Sequence, residues 1–500
     1  MSAVDLITTV TATATATATP RRTPARRLWR GALTSRLSQI SAASLIALLA
    51  GCASPPPAMP PLSDAKRLAQ ANVAAQLPVG AGAVADTPSL DWRAVVRDPR
   101  LREWVALALQ HNRDLAVALA NVQRAQAQLG IADANRLPTM GAGLTAARAP
   151  NGKGAEATTL SAGVQLSSWE IDLFGRLASL SDAARAQLLA SEAGRRAAEL
   201  TLVAGVLQAG LALQADDELL TLARRALDSR DQTLKLTQLR ERAGAASLLE
   251  LQAQQTLALQ ARATLAQLTR QQAQDSHALA LLLGQPVPGV VLAGSSSSSP
   301  AQLADDTWLA EVPAGLSSAV LLRRPDVISA EQTLLTAQAN ISAARAAFWP
   351  SITLTAQAGQ AAPQLAGLFA GGNFIYSLAS SALITVFDAG RRQANLAVAQ
   401  AAQVVAQAQY ERAIQAAFRD TADALAGLAT WREQLAAQTA QRDVARDTAR
   451  LTELKAQQGA ASALERLDAQ RALFAAEQAV VQVRLGELNN RVALFKALGG

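Results

Sequence analysis

Two stretches of the chain, residues 176–242 and 391–457, run without proline and with few glycines. Their apolar residues recur at helical spacing, as in Leu219, Leu220, Leu222, Leu227, Leu234 and Leu236. Each stretch predicts one helix of about 67 residues, roughly 100 Å long at 1.5 Å per residue. Ordinary globular helices are far shorter, so this length points to a coiled coil or a helical tube. Ser247 stands three residues before Glu250, and Ser462 three before Glu465. Both pairs fit a capping box, in which Ser and Glu reciprocally satisfy free amides at a helix start. Each long helix is therefore read as one arm of a hairpin, with its tip at Gly244 or Gly459.

Ahead of each long helix the period changes to two. Leu160, Ala162, Val164 and Leu166 alternate with Ser161, Gly163, Gln165 and Ser167; Ile352, Leu354 and Ala356 alternate with Thr353, Thr355 and Gln357. Residues 139–147 and 376–387 alternate more weakly. Four strands are expected, at 139–147, 160–168, 352–357 and 376–387. Apolar-out and polar-in alternation is the signature of a transmembrane barrel, although a small soluble sheet shows the same period. Four strands do not close a barrel, and open strand edges do not survive in lipid, so several copies must share one.

The two halves are copies of one unit. Gly175-Arg176 aligns with Gly390-Arg391. From there to the tip glycine is 69 residues in both halves, and to Gly284 or Gly499 it is 109. GAASLLELQAQQ (244–255) echoes GAASALERLDAQ (459–470), and LTQL (236–239) echoes LTEL (451–454). Upstream, Asp114 aligns with Asp326 and Pro138 with Pro350. The expected organisation is a signal peptide over 1–51, a tether and the start of an equatorial region over 52–100, repeat one over 101–293, a GSSSSSP linker over 294–300, and repeat two over 301–500.

Composition sharpens this. Half the residues are apolar but only 3% are aromatic. Alanine, the best helix former, favours long helices packed closely. The net charge of +7 is mostly an N-terminal matter. Residues 1–51 carry six Arg and one acid, and the remainder holds 40 basic against 38 acidic residues. No basic patch for nucleic acid is left. The Arg-rich segment, the apolar SLIALLAG and the small residues after it form a secretory signal. Leu49-Ala50-Gly51-Cys52 resembles the bacterial lipobox, and Cys52 is the only cysteine. Acyl chains on Cys52 would hold the chain on a membrane at about 0.8 kcal/mol per buried CH₂. The ASPPPAMPPL segment after it reads as an extended tether.

Nothing in the sequence points to catalysis. His111 and His277 lie far apart in helical contexts with no partners at metal spacing. No phosphate-binding loop, Gly-x-Ser-x-Gly or HExxH pattern occurs. Arg323-Arg324-Pro325-Asp326 reads as a helix start, with Pro325 opening the helix and Asp326 in its first turn. Between the echoing tips one difference stands out. Asp468 has only Ala253 opposite it, and it lies too far from Ser462 for capping to explain it.

LLRRPDVISAE (321–331), FWPSITL (348–354), ALERLDAQRALF (463–474), the paired hairpins with GAAS tips and the lipobox together resemble the TolC-like outer membrane factors, in the lipoprotein branch that serves RND multidrug efflux pumps. The resemblance covers roughly residues 60–500. It implies a mixed fold of α-helices and membrane β-barrel. Each protomer of a homotrimer gives four strands to a 12-stranded barrel and its long hairpins to a periplasmic tube. It implies a passive conduit in the outer membrane, held there by lipid on Cys52 and needing no other cofactor. Its partners would be outer membrane lipids, a periplasmic adaptor and an inner-membrane RND pump. The adaptor would meet Gly244, Ser247, Gly459 and Ser462 at the tips. Leu464 and Asp468 match positions that form constricting rings at the periplasmic mouth, which an acid at the position of Glu465 can join. Threefold symmetry would gather three Asp468 carboxylates into a cation-attracting ring, with Leu464 as a dry constriction. Three other readings stand beside this one: the duct of a protein secretion system, a lipid-anchored adaptor, and a structural coiled-coil lipoprotein. Duplication and the four period-two segments weigh against the adaptor.

Overall fold

The computed structural model describes residues 91–150, 156–288 and 318–500. The signal segment, Cys52, the tether and the GSSSSSP linker lie outside the described residues. Ten helical and strand elements repeat in two sets, behind two short leading helices. Helices α1 (Trp92–Val95), α2 (Pro99–His111) and α3 (Arg113–Ala134) precede β1 (Met140–Pro150) and β2 (Glu156–Ile171). Helix α4 (Arg176–Arg242) and helix α5 (Leu248–Leu283) complete the first set. The second set is α6 (Pro325–Ala346), β3 (Ser351–Ala362), β4 (Phe374–Leu383), α7 (Arg391–Gln457) and α8 (Ala463–Ala497).

Both long helices have the predicted length of 67 residues and begin after a glycine in the left-handed region, Gly175 at φ 74° and Gly390 at φ 85°. A side chain would be strained there, so these glycines fix where each helix starts. The helical unit has its core where α2, α4, α5 and α8 meet. Leu101, Leu207, Leu211, Leu279, Leu283 and Phe495 are fully buried there. Gly210 lets α2 approach α4: a Cβ on it would stand 2.6 Å from the Leu101 side chain.

The RRPD stretch is a helix start, as expected. Pro325 opens α6 and Asp326 sits in its first turn. Arg324 adds what the sequence did not show. Its buried guanidinium forks onto Asp326 at 3.0 and 2.8 Å, reaches Asp420 of α7 at 3.4 Å, and donates to the Ala497 carbonyl at 3.1 Å. One side chain thus ties the start of α6 to α7 and to the end of α8. Burial pushes the Asp326 carboxyl up, but the Arg324 hydrogen bonds and charge outweigh it and hold it below the ordinary range.

The sheet is a unit of its own, antiparallel in the order β1-β2-β3-β4. The strands differ from the expected ones at their ends. The first three are longer, because Thr, Ala and Gly at their tips blur the alternation without preventing pairing. The last stops at Leu383 instead of reaching residue 387. Its partner begins at Ser351, after Pro350, so no ladder remains for it to join. Register puts Leu144, Val164, Leu354 and Leu378 on one face, and Thr145, Gln165, Gln357 and Ser377 on the other. The apolar face leaves Met140, Leu144, Phe374, Tyr376 and Leu378 exposed. On the polar face Gly163 and Gly359 lie directly opposite, and a Cβ on either would collide with the other strand's backbone.

One irregularity interrupts β2. Between the pairs Leu166↔Ala356 and Trp169↔Leu354 it carries one residue more than β3, and Ser168 adopts φ 43°. This bulge shifts the parity of the remaining residues of β2. Trp169 joins the apolar face opposite Leu354, and Glu170 faces the same side as Thr353.

The helical unit also holds a cluster of acids. Asp216 is buried on α4, its Oδ2 has no hydrogen-bond partner, and Asp217 accepts from Gln272 of α5. Burial first, then a hydrogen bond to Asp275 and the charges of Asp275 and Asp217, push the Asp216 carboxyl up to about 7. Asp275 itself accepts from Gln271 at 3.1 Å. The unfolded chain releases the Asp216 proton near 3.8, whereas the folded chain holds it to about 7. Stability should thus fall as pH rises across that window and level off above it. The melting temperature of the purified protein, followed from about pH 4 to about pH 8, should show this decline, and Asp216→Asn should flatten it. A flat wild-type profile would mean that Asp216 titrates alike in the folded and unfolded chain.

Candidate functional site

Two helical turns and the helices that leave them make up the candidate site. Both long helices end in the same backbone motif. The Gly244 amide donates to the Glu241 carbonyl at 2.8 Å, and the Ala245 amide to the Arg240 carbonyl at 2.7 Å. In the second copy Gly459 donates to Ala456 at 3.1 Å and Ala460 to Lys455 at 2.8 Å. This pair of bonds satisfies two of the carbonyls left free at the helix end and requires a left-handed residue, supplied by Gly244 at φ 71° and Gly459 at φ 75°. A Cβ at either glycine would touch nothing within 4 Å. What constrains these positions is backbone conformation, not space.

The returning helices begin differently. Ser462 makes a full capping box: its Oγ accepts from the Glu465 amide at 3.2 Å, and its own amide donates to Glu465 Oε2 at 2.7 Å. The Ser462 amide and hydroxyl hold the Glu465 carboxyl below the ordinary range. Ser247 makes half a box. Its Oγ accepts from the Glu250 amide at 3.1 Å, but the Glu250 carboxylate turns to Arg240 across the turn, at 3.8 Å. The expected second capping box is therefore absent in the first copy. Arg240 competes for the acid where the second copy has Lys455.

Leu464 and Asp468 occupy the first turns of α8, four residues apart on one face. Leu464 is 65% exposed. Asp468 is also exposed and pairs with Arg471 at 3.5 Å, one helical turn further along. Glu465, the third expected gate residue, is engaged by the cap behind them. Nothing at the hairpin tips in the sequence marks Arg471 or its surroundings. Arg230 of α4 stacks its guanidinium over the Phe474 ring at 5.6 Å and donates to the Leu257 carbonyl of α5 at 3.3 Å. Burial and the neighbouring charge of Arg471 hold Arg230 below the ordinary arginine range. The first hairpin thus grips the second near Asp468. The internal repeat does not foreshadow this contact, because the position equivalent to Arg230 is Ala445.

The two histidines are exposed residues on α2 and α5. Among the described residues no group of His, Cys, Asp or Glu has the arrangement to hold a metal ion.

A family model described as outer membrane efflux protein matches residues 104–285 and 316–500. The chain belongs to the outer membrane efflux protein family. It is 38% identical over 477 residues to the toluene efflux pump outer membrane protein TtgC of Pseudomonas putida, covering 93% of this chain and 95% of that one. Outer membrane protein OprJ of Pseudomonas aeruginosa is 38% identical over 426 residues, covering 84% and 87%. Among solved structures, the open state of the MtrE outer membrane channel of Neisseria gonorrhoeae superposes with a TM-score of 0.74 at 35% identity, covering 84% of this chain and 94% of that one. CusC gives 0.74 at 33%, covering 85% and 98%. The protein is therefore an outer membrane efflux duct, in which each protomer of a trimer supplies four strands to a common barrel. In a barrel of this kind the apolar face of the sheet is the one suited to lipid and the polar face the one suited to the lumen. The family is one of channels.

Proposed function

We propose that the chain is the passive exit component of a tripartite RND-type efflux pump, with its second hairpin turn acting as the periplasmic gate. The observation that carries this is the inequality of two otherwise matching turns. After Gly459 the helix presents Leu464 and Asp468 to solvent, whereas after Gly244 the position of Asp468 is alanine. A folding requirement would act on both copies alike. Around a threefold axis, three leucines narrow the path and three carboxylates attract cations. The pump supplies energy and selects cargo, and the names of the relatives point to solvents and antibiotics as the class carried.

Single-channel recording tests the gate. Leu464→Ala should raise conductance, Asp468→Ala should raise it and lower cation selectivity, and the double variant should exceed either. Wild-type conductance in all three would remove these residues from the mechanism and favour the reading of α8 as a solvated helix face.

The adaptor would dock at the turns through Gly244, Ser247, Gly459 and Ser462. Replacing either glycine with Ala costs about 1–2 kcal/mol of local strain from its positive φ. Trimers should therefore still form. Gly244→Trp and Gly459→Trp should abolish drug efflux while trimers remain in the outer membrane. Loss of the trimer itself would make these positions structural only.

The lipobox supports acylation of Cys52 as the second attachment to the membrane. Mass spectrometry of the mature N-terminus should find an acylated cysteine there, and an unmodified terminus at another residue would refute it.

A further inference from the structure

The turn between β3 and β4 does not extend beyond the strands. Leu365–Phe369 forms a 3-10 turn that folds back and packs on β3 and β2. The side on which it packs can be read from Gly367, where a Cβ would stand 2.7 Å from the Ala362 Cβ. Ala362 pairs with Leu160, and the unbroken alternation below both places them on the face of Leu354 and Val164. That is the lipid-facing side of the wall. The fold-back is held at both ends: Asn373 Nδ2 donates to the Gly367 carbonyl at 2.7 Å, and the Ala361 amide donates to the Asn373 carbonyl at 3.0 Å.

Its side chains divide cleanly. Leu368 is buried against the sheet, while Phe369 is 87% exposed and Leu365 59% exposed. A phenylalanine so exposed loses the gain of burying its ring, unless something apolar covers it. A second protomer is not placed to do so. Neighbouring chains join at the open edges of β1 and β4, and the turn sits over the two central strands. The exposed surface of Phe374, Tyr376 and Leu378 continues towards it along the same face, and that surface already meets lipid.

We propose that the β3–β4 turn is a membrane anchor, in which Phe369 and Leu365 insert among the acyl chains of the outer leaflet. The inference rests on the barrel reading. The turn lies at the strand ends opposite those that lead to α6 and α7, so it belongs to the cell-exterior rim. Aromatic side chains are favoured at that depth. The turn is then part of the outer wall and not a lid over the outer mouth.

A nitroxide placed by Phe369→Cys, in trimers reconstituted into dioleoylphosphatidylcholine vesicles, tests this by collision with oxygen, which concentrates in lipid, and with a water-soluble nickel chelate. Unsubstituted protein carried through the same labelling corrects for Cys52. Oxygen collisions exceeding nickel collisions severalfold are the expected result. Nickel dominating would place the turn in water, and low access to both would bury it in protein; either overturns the proposal. A second label through Tyr376→Cys, on the lipid face of β4, separates the two readings. If position 376 is in lipid and 369 is not, only the anchor fails; if neither is, the barrel reading fails with it. Phe369→Ser should also leave single-channel conductance unchanged, and a rise in conductance would mean that the turn covers the mouth.

Discussion

Inside a bilayer no backbone amide or carbonyl can turn to water. A four-stranded sheet has two unpaired edges, and each edge carries a row of such groups. Leaving one group unpaired in hydrocarbon costs several kcal/mol. The outer strands β1 and β4 therefore determine how many chains the molecule has. Pairing β4 of one protomer with β1 of the next removes both edges at once, and three protomers of four strands close the ring. Threefold symmetry then holds for everything attached to the strands, including the helices and their turns. In the proposed gate, a single Asp468 would become a ring for the same reason.

Duplication supplies the rest of the architecture, and the departures from it carry the chemistry. The repeated positions are those that the backbone needs: a left-handed glycine where each long helix starts, another where it ends, and a serine where the returning helix begins. The unmatched positions are those that act on charge or on neighbours. Asp468 faces Ala253 in the alignment, and Arg230 faces Ala445. Arg240 diverts Glu250 from its cap, whereas Lys455 leaves Glu465 to complete one.

Much of this was legible in the sequence because it obeys local rules. The 67-residue helices follow from periodicity and the absence of proline. The turns follow from Gly and from Ser three residues ahead of Glu. The strands are legible but their ends are not, since pairing depends on a partner's register, which a single stretch does not contain. Contacts between distant segments were not legible at all. Nothing near Arg324 foretells the Ala497 carbonyl, and nothing near Arg230 foretells Phe474. The raised Asp216 carboxyl depends partly on Asp275, a residue 59 positions away. The expected tip and gate residues lie at the hairpin turns, but their restraints come only with the packing.

The extra residue at Ser168 works as a phase shifter. In a two-sided wall every position is either wet or greasy, and the assignment flips with each step along the strand. Before the bulge, odd-numbered residues of β2 face the lumen; after it, even-numbered ones do. Insertions or deletions in this strand are therefore governed by parity. Two residues gained or lost preserve the sidedness of the rest of the strand, and one reverses it, driving a tryptophan into the water path and a glutamate into the lipid. Sequence drift in β2 is filtered by evenness before it is filtered by chemistry.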